Sequence, residues 1–163
     1  MRALIQRVSA ATVEIVGEDP SSIDDGLVIF IGIGRNDSLE DVEYLVEKIL
    51  NLRIFASQDK DFDKSAIDIQ AELLVISQFT LFANTRRGRR PSFSLAATPD
   101  DAKEIFLKVL ESFRKSGLRI ETGKFQSKMD VEIHNSGPFT LMIDTDDRFL
   151  SRKGKYFSGI KNL

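Results

Sequence analysis

The chain contains no cysteine and a single histidine, His134. The first absence excludes disulfides, thiolate zinc sites and cysteine nucleophiles. The second makes any Ser-His-Asp arrangement depend on His134 and removes zinc sites built on several histidines. His134 sits in an apolar alternation with Val131 and Ile133, which points to a structural role. Compact carboxylate motifs of the EF-hand or paired-Asp type are also missing, so neither a metal nor a cofactor is expected. No apolar run reaches transmembrane length, and no signal-peptide hydrophobic region follows Met1. The expectation is a cytoplasmic chain without a membrane partner. Net charge is only −2, so overall composition announces no polyanion ligand.

Hydrophobic residues make up 42% of the 163 positions and include 12 Phe, enough for one domain with a substantial core. Residues 3–16 alternate as a strand, and the polar run 17–26 suggests a hairpin connection. Residues 27–33 form a continuous apolar run between glycines, the pattern of a buried strand. Ser38 then reads as a helix N-cap with acids in the first turn. Val42, Leu45, Val46, Ile49 and Leu52 follow at helical spacing. After a polar stretch, residues 73–76 give another buried strand. Thr98-Pro99-Asp100-Asp101 opens a second helix, whose apolar face holds Ala102, Ile105, Phe106, Val109, Leu110 and Phe113, and Gly117 follows its last turn. Three further strands are expected over 118–124, 129–134 and 139–144. Two helices between groups of hairpin-linked strands argue for an α+β fold with a mainly antiparallel sheet. From Thr145 onward the chain turns basic, with Arg148, Arg152, Lys153, Lys155 and Lys161 against Asp146 and Asp147. This divides the chain into a domain over 1–144 and an extension over 145–163, partly disordered or conditionally docked.

Four segments carry candidate chemistry. Ser77-Gln78-Phe79-Thr80 closes an apolar strand, where backbone N–H groups become free to face a ligand. The hydroxyls of Ser77 and Thr80 have no base beside them in sequence, and an unactivated hydroxyl is a poor nucleophile. Positioning is the better role, with amides near Phe79 and Thr80 stabilising an oxyanion. Arg86, Arg87, Arg89 and Arg90, with Phe93 close behind, suit phosphate contact plus ring stacking, though a solvated basic loop has the same composition. Phe125 and Met129 read most simply as core residues at a strand junction. Finally, Asn135-Ser136-Gly137-Pro138-Phe139-Thr140 interrupts two strand-like runs. One reading is a hairpin turn between them. The other is a rigid Gly-Pro elbow, with a cis peptide as one form, that holds backbone carbonyls at a functional surface.

Taken in order along residues 1–144, these segments resemble the D-aminoacyl-tRNA deacylase family. The matching pieces are Met1-Arg2-Ala3 with Ile5-Gln6-Arg7-Val8, residues 48–53, Glu72-Leu73-Leu74-Val75 into SQFTLF, TRRGRRPSF, Thr122-Gly123-Lys124-Phe125 and NSGPFT. SQFTL followed some sixty residues later by Asn-x-Gly-Pro is far more specific than either motif alone. The resemblance implies a barrel-like homodimer that hydrolyses the ester between a D-amino acid, or glycine, and the terminal adenosine of tRNA. It implies that Gly137-Pro138, as a cis pair, enters the partner subunit's pocket and excludes L-amino acids. Ser77, Gln78, Phe79 and Thr80 are then expected to line the adenosine and ester side. Arg7, Phe125 and Met129 should support the elbow, Asn135 should anchor it and Phe93 should wall the pocket. The ribose 2′-OH is expected to assist, with no protein nucleophile. Two departures stand out: Ser136 and Phe139 replace the family's Asp and Val, and Gln126 replaces a small residue. Two other readings compete. One is a non-enzymatic nucleic-acid-binding module built on Arg86 to Arg90, and the other is a general esterase acting through Thr80.

Overall fold

In the computed structural model, which describes residues 1–150, the molecule is organised around one long strand, β1 (Arg2–Glu14). Along its first half β1 pairs antiparallel with β3 (Gly26–Gly32), and along its second half with the short β2 (Ser21–Ile23). Its other edge is covered from end to end by β6 (Asp130–Asp144), again antiparallel. β4 (Glu72–Ser77) and β5 (Ile120–Thr122) extend the sheet beyond β3, both in parallel pairing. The α+β class is as expected, but the sheet is mixed. Each long helix is the crossover between two parallel strands: α1 (Leu39–Asn51) joins β3 to β4, and α3 (Pro99–Arg114) joins β4 to β5. Parallel neighbours need such a crossover because a tight turn can only reverse the chain. β2 lies against β4 and β5, so the sheet curls nearly into a barrel.

β3 is apolar throughout because both of its faces are covered. Leu27, Ile29 and Ile31 join Ala3, Ile5, Leu45, Ile49, Val109 and Phe113 in the core beneath the helices. Val28 faces the other way, into a second cluster with Val8, Ala11, Val13, Leu74 and Ile76. β1 serves both cores through a bulge. Val8 pairs with Asn135 and Ala10 with His134, so Ser9 is one residue too many on β1. That extra residue reverses the inward parity, placing Ala11 and Val13 on the face of Val8. Removing a side chain such as Phe113 from the first core would cost about 3–5 kcal/mol.

α1 begins as expected. Ser38 and Asp41 form a reciprocal capping box, with the Ser38 amide donating to Asp41 Oδ2 at 2.9 Å. The polar stretch before β4 hides one helical turn that the periodicity did not reveal, α2 (Ala66–Ile69), capped by Ser65 and Asp68.

One expectation is corrected. Residues 129–144 are not two strands joined by a hairpin: β6 runs in one direction, and both halves pair with β1. Residues 145–150, at the start of the expected extension, pack against the domain. Thr145 is buried, its amide donates to Met1 O at 2.8 Å, and Arg148 pairs with Asp41 at 3.2 Å while lying over the Tyr44 ring. Arg152, Lys153, Lys155 and Lys161 lie outside the described residues. His134, expected to be structural, has an exposed side chain whose Nε2 meets Glu132 Oε1 at 2.9 Å.

Candidate active site: a strand-end cleft and a backbone elbow

The polar end of β4 opens into a cleft. Gln78 donates its amide to Ile31 O at 2.7 Å, which carries the β3–β4 ladder one step past the strand. The chain then tightens into a 3-10 turn over Phe79–Phe82. That turn sits directly on the end of β3: a Cβ on Gly32 would lie 2.9 Å from Leu81 Cβ, and one on Gly34 would lie 2.9 Å from Phe82 Cζ. The two glycines therefore set how closely the turn approaches. A cleft of about 610 Å³ follows, walled by Ser77, Gln78, Phe79, Phe93, Phe125 and Met129 together with Ile31, Ile76, Ala97 and Gln126. Phe79 and Phe93 meet edge to face at 4.9 Å, and Phe125 rests against Phe106 of α3 at 6.0 Å.

No residue lining this cleft is ionisable. Its polar groups are the Ser77 and Ser127 hydroxyls, the Gln78 and Gln126 amides and backbone. Thr80 stands outside the lining, and its Oγ1 accepts from Gln78 Nε2 rather than meeting a base. At the head of the 3-10 turn the amides of Phe79 and Thr80 have no partner within the turn, as the first amides of any helix do not. The cleft can therefore bind an apolar or aromatic group and stabilise negative charge through neutral donors. It has no side chain suited to move a proton near neutral pH.

The elbow is built quite differently. Gln6 pairs with Thr140 and Val8 with Asn135, so residues 136–139 stand out of the ladder opposite Arg7 alone. Asn135 closes this excursion: its Nδ2 donates to Phe139 O at 3.0 Å, and its Oδ1 accepts the Phe139 amide at 2.7 Å. The side chain thus takes the place of a strand partner and returns the chain to its original direction. This is why the Gly-Pro signal does not reverse the chain as a hairpin would. Arg7 holds the excursion from the β1 side, with Nε donating to Ser136 O at 3.1 Å and Nη1 to Ile54 O at 2.6 Å. Its guanidinium lies 5.3 Å from the Phe139 ring centre. Gly137 adopts φ +135°, and a Cβ there would lie 2.9 Å from Arg7 Nη2. The Gly137-Pro138 peptide is cis, and both residues are exposed.

The predicted residues therefore fall into two groups. Ser77, Gln78, Phe79, Phe93, Phe125 and Met129 share the cleft, while Arg7, Asn135, Gly137 and Pro138 share the elbow. Phe125 and Met129, expected beside the elbow, line the cleft in this chain. Within one chain the groups lie apart. Three strand spacings and the four residues from Leu27 to Ile31 separate the elbow opposite Arg7 from Ser77, roughly 20 Å along the sheet, while on β6 Val131 of the cleft lining is four residues, about 13 Å, from Asn135. Arg86, Arg87, Arg89 and Arg90 belong to neither group and occupy an exposed loop.

Sequence reasoning missed two supports of the elbow. Phe62 packs on Phe139 with ring centres 5.8 Å apart, and the Ile54 carbonyl receives Arg7. A lone Phe in the acidic stretch Asp61-Phe62-Asp63 was the only signal for the first. The second is a backbone group and had none.

Residues 4–144 match the family model described as D-Tyr-tRNA(Tyr) deacylase. A D-aminoacyl-tRNA deacylase of Fervidobacterium nodosum is 47% identical over 149 residues, covering 91% of this chain and all of that protein. One of Aquifex aeolicus is 50% identical over 145 residues, covering 89% of this chain and 98% of the relative. Among solved structures, the c-Myc DNA unwinding element binding protein superposes with a TM-score of 0.83 at 39% identity, covering 88% of this chain and 98% of its own. A probable eukaryotic D-amino acid tRNA deacylase shares the fold at a TM-score of 0.78 and 16% identity, covering 87% and 97%.

Proposed function

This chain belongs to the D-Tyr-tRNA(Tyr) deacylase family, and from that premise we propose that Gly137-Pro138 of one subunit completes the cleft of another as a chiral filter. The family and the curated relatives make the chain a D-aminoacyl-tRNA deacylase, an ester hydrolase. The finer reading rests on one observation. Gly137 and Pro138 are exposed and tied by Asn135 and Arg7, and this elbow opposite Arg7 lies roughly 20 Å along the sheet from Ser77 of the same chain. An elbow so placed serves a second copy, and the working form is a homodimer with two shared sites.

The chemistry follows from the neutral lining. The terminal adenosine lies along Ser77 to Thr80 and against Phe93, which places the ester carbonyl before the amides of Phe79 and Thr80. Water attacks the carbonyl carbon, and the oxyanion is held by those amides. The bond to the ribose oxygen then breaks, releasing free amino acid and tRNA. With no basic side chain lining the cleft, the ribose 2′-OH beside the ester assists the proton transfers. Selectivity comes from exclusion. An L side chain would run into the fixed backbone of the elbow, whereas a D side chain points away and glycine offers nothing to reject. Glycine mischarged on tRNA-Ala is therefore a second substrate, and the cytoplasm, where charged tRNA is used, is the site of action. Offering D-Tyr-tRNA and L-Tyr-tRNA side by side tests this reading. The expected result is ester loss from the D form only, and equal hydrolysis of both refutes the filter.

A further inference from the structure

The four arginines between Thr85 and Pro91 remain outside both the cleft and the elbow. They sit on a loop pinched at its base by a two-residue bridge: Asn84 and Ser92 exchange backbone hydrogen bonds at 2.7 and 2.9 Å. The Asn84 side chain adds a third tie, accepting the Arg86 amide at 3.0 Å. Gly88 turns the tip at φ +71° with open space around it, leaving two arginines on each arm. All four are exposed. Among the described residues, the arginines that form ion pairs are Arg2, Arg53, Arg119 and Arg148, so none of the loop arginines is neutralised. Four unneutralised guanidinium groups so close together repel one another, an arrangement suited to a polyanion.

The base of the loop is also the wall of the cleft. Phe93 follows Ser92 directly, lines the cleft and meets Phe79. With four residue steps from Asn84 or Ser92 to Gly88, the tip reaches at most about 14 Å from the bridge at ~3.4 Å per residue. On a stacked strand, at ~3.4 Å per nucleotide, that reach covers the phosphates of the last three or four nucleotides before an adenosine held in the cleft.

We propose that the loop over residues 85–91 is a phosphate clamp for the single-stranded 3′ end of the tRNA, gripping the backbone of the nucleotides that precede the terminal adenosine. The clamp rests on the proposed placement of that adenosine in the cleft, and it contributes affinity rather than chirality. Phosphate contacts position a ligand without reading its bases, so the grip is independent of tRNA sequence.

The test replaces all four arginines with Gln and, separately, with Lys, and follows deacylation from 50 to 200 mM salt. Three D-tyrosyl esters serve as substrates: full tRNA, a short single-stranded oligonucleotide ending in CCA, and adenosine without phosphate. On tRNA and on the oligonucleotide, the Gln variant is expected to raise KM at least tenfold with kcat within twofold. The slope of log kcat/KM against log salt should fall by about 3, so that wild type loses roughly 50-fold more across that range. The Lys variant should restore most of the slope. On adenosine esters all three proteins should act alike. Equal loss on the phosphate-free ester would overturn the clamp, because the loop would then be shaping the cleft. Loss confined to full tRNA would overturn it in favour of a duplex contact. Wild-type failure on every substrate would instead remove the deacylase reading beneath it.

Discussion

At residues 135–139 the backbone is what the surface presents, and side chains hold it in place; at the end of β4 the side chains are presented, and backbone holds them. Asn135 and Arg7 fix the first arrangement through polar contacts to main-chain oxygens. The ladder bond from Gln78 and the close seat on Gly32 and Gly34 fix the second. The contrast suits the two tasks proposed for these regions. Backbone cannot change its size through sequence drift, so an elbow can refuse every L side chain without regard to identity. A lining of neutral side chains can hold an adenosine and a developing oxyanion without introducing a competing nucleophile.

The strongest way to break the elbow while sparing the cleft is Gly137→Val. A branched side chain at φ +135°, with its Cβ 2.9 Å from Arg7 Nη2, must displace either the elbow or its clamp. Strain of about 1–3 kcal/mol is expected locally. Activity on D-Tyr-tRNA should fall at least 100-fold, while affinity for uncharged tRNA, read by filter binding, stays within threefold.

Asn135→Ala comes next. It leaves the Phe139 amide and carbonyl without their partner, a loss of about 1–3 kcal/mol. Deacylation should drop about 10- to 100-fold, with a D-to-L ratio that narrows as the elbow loosens. A ratio unchanged from wild type would show that the elbow keeps its shape without this side chain.

On the cleft side, Thr80→Ala should leave deacylation within about fivefold, because the hydroxyl only accepts from Gln78. A loss of several hundredfold would revive the esterase reading.

The smallest effect on activity is expected far from both regions, at Asp41. Burial acts to raise its carboxyl, but hydrogen bonds from Thr145 and Ser38 and the nearby N-terminal ammonium outweigh that and hold it below the ordinary 3.8. A depressed native pKa stabilises the fold fully above the unfolded value and is lost as pH falls through the native one. Urea midpoints measured from pH 7 downward should therefore fall below about pH 4, and Asp41→Asn should flatten that fall. The substitution should cost about 1 kcal/mol at neutral pH through the capping box, with deacylation unchanged.

These experiments also mark what the sequence could and could not reveal. α1 and α3 were legible because Ser38-x-x-Asp41 and Thr98-Pro99 announce their starts and the apolar spacing runs unbroken. The buried strands were legible from continuous apolar runs. The direction of the chain after Pro138 was not, because Gly-Pro reports a local kink while the strand partner that decides direction lies on β1. The parallel pairing of β3 with β4 was equally hidden, being a property of how α1 packs. Within the site, Ser77 to Phe79, Phe93, Phe125 and Met129 proved to share one cleft, whereas Phe62 was missed because its partner Phe139 is distant in sequence. The contacts of Thr145 and Arg148 were likewise hidden, because the charge pattern of residues 145–150 carries no sign of them.

Subunit complementation tests the central claim most directly. Gly137→Val chains, with an intact cleft and a broken elbow, would be mixed and exchanged with Ser77→Tyr chains, whose cleft is filled but whose elbow is intact. If the elbow of one subunit completes the cleft of the other, each mixed dimer carries one whole site, and activity on D-Tyr-tRNA should return to about a quarter of wild type. If each chain used its own elbow, no mixed dimer would hold a whole site, and the mixture would remain as inactive as its parents.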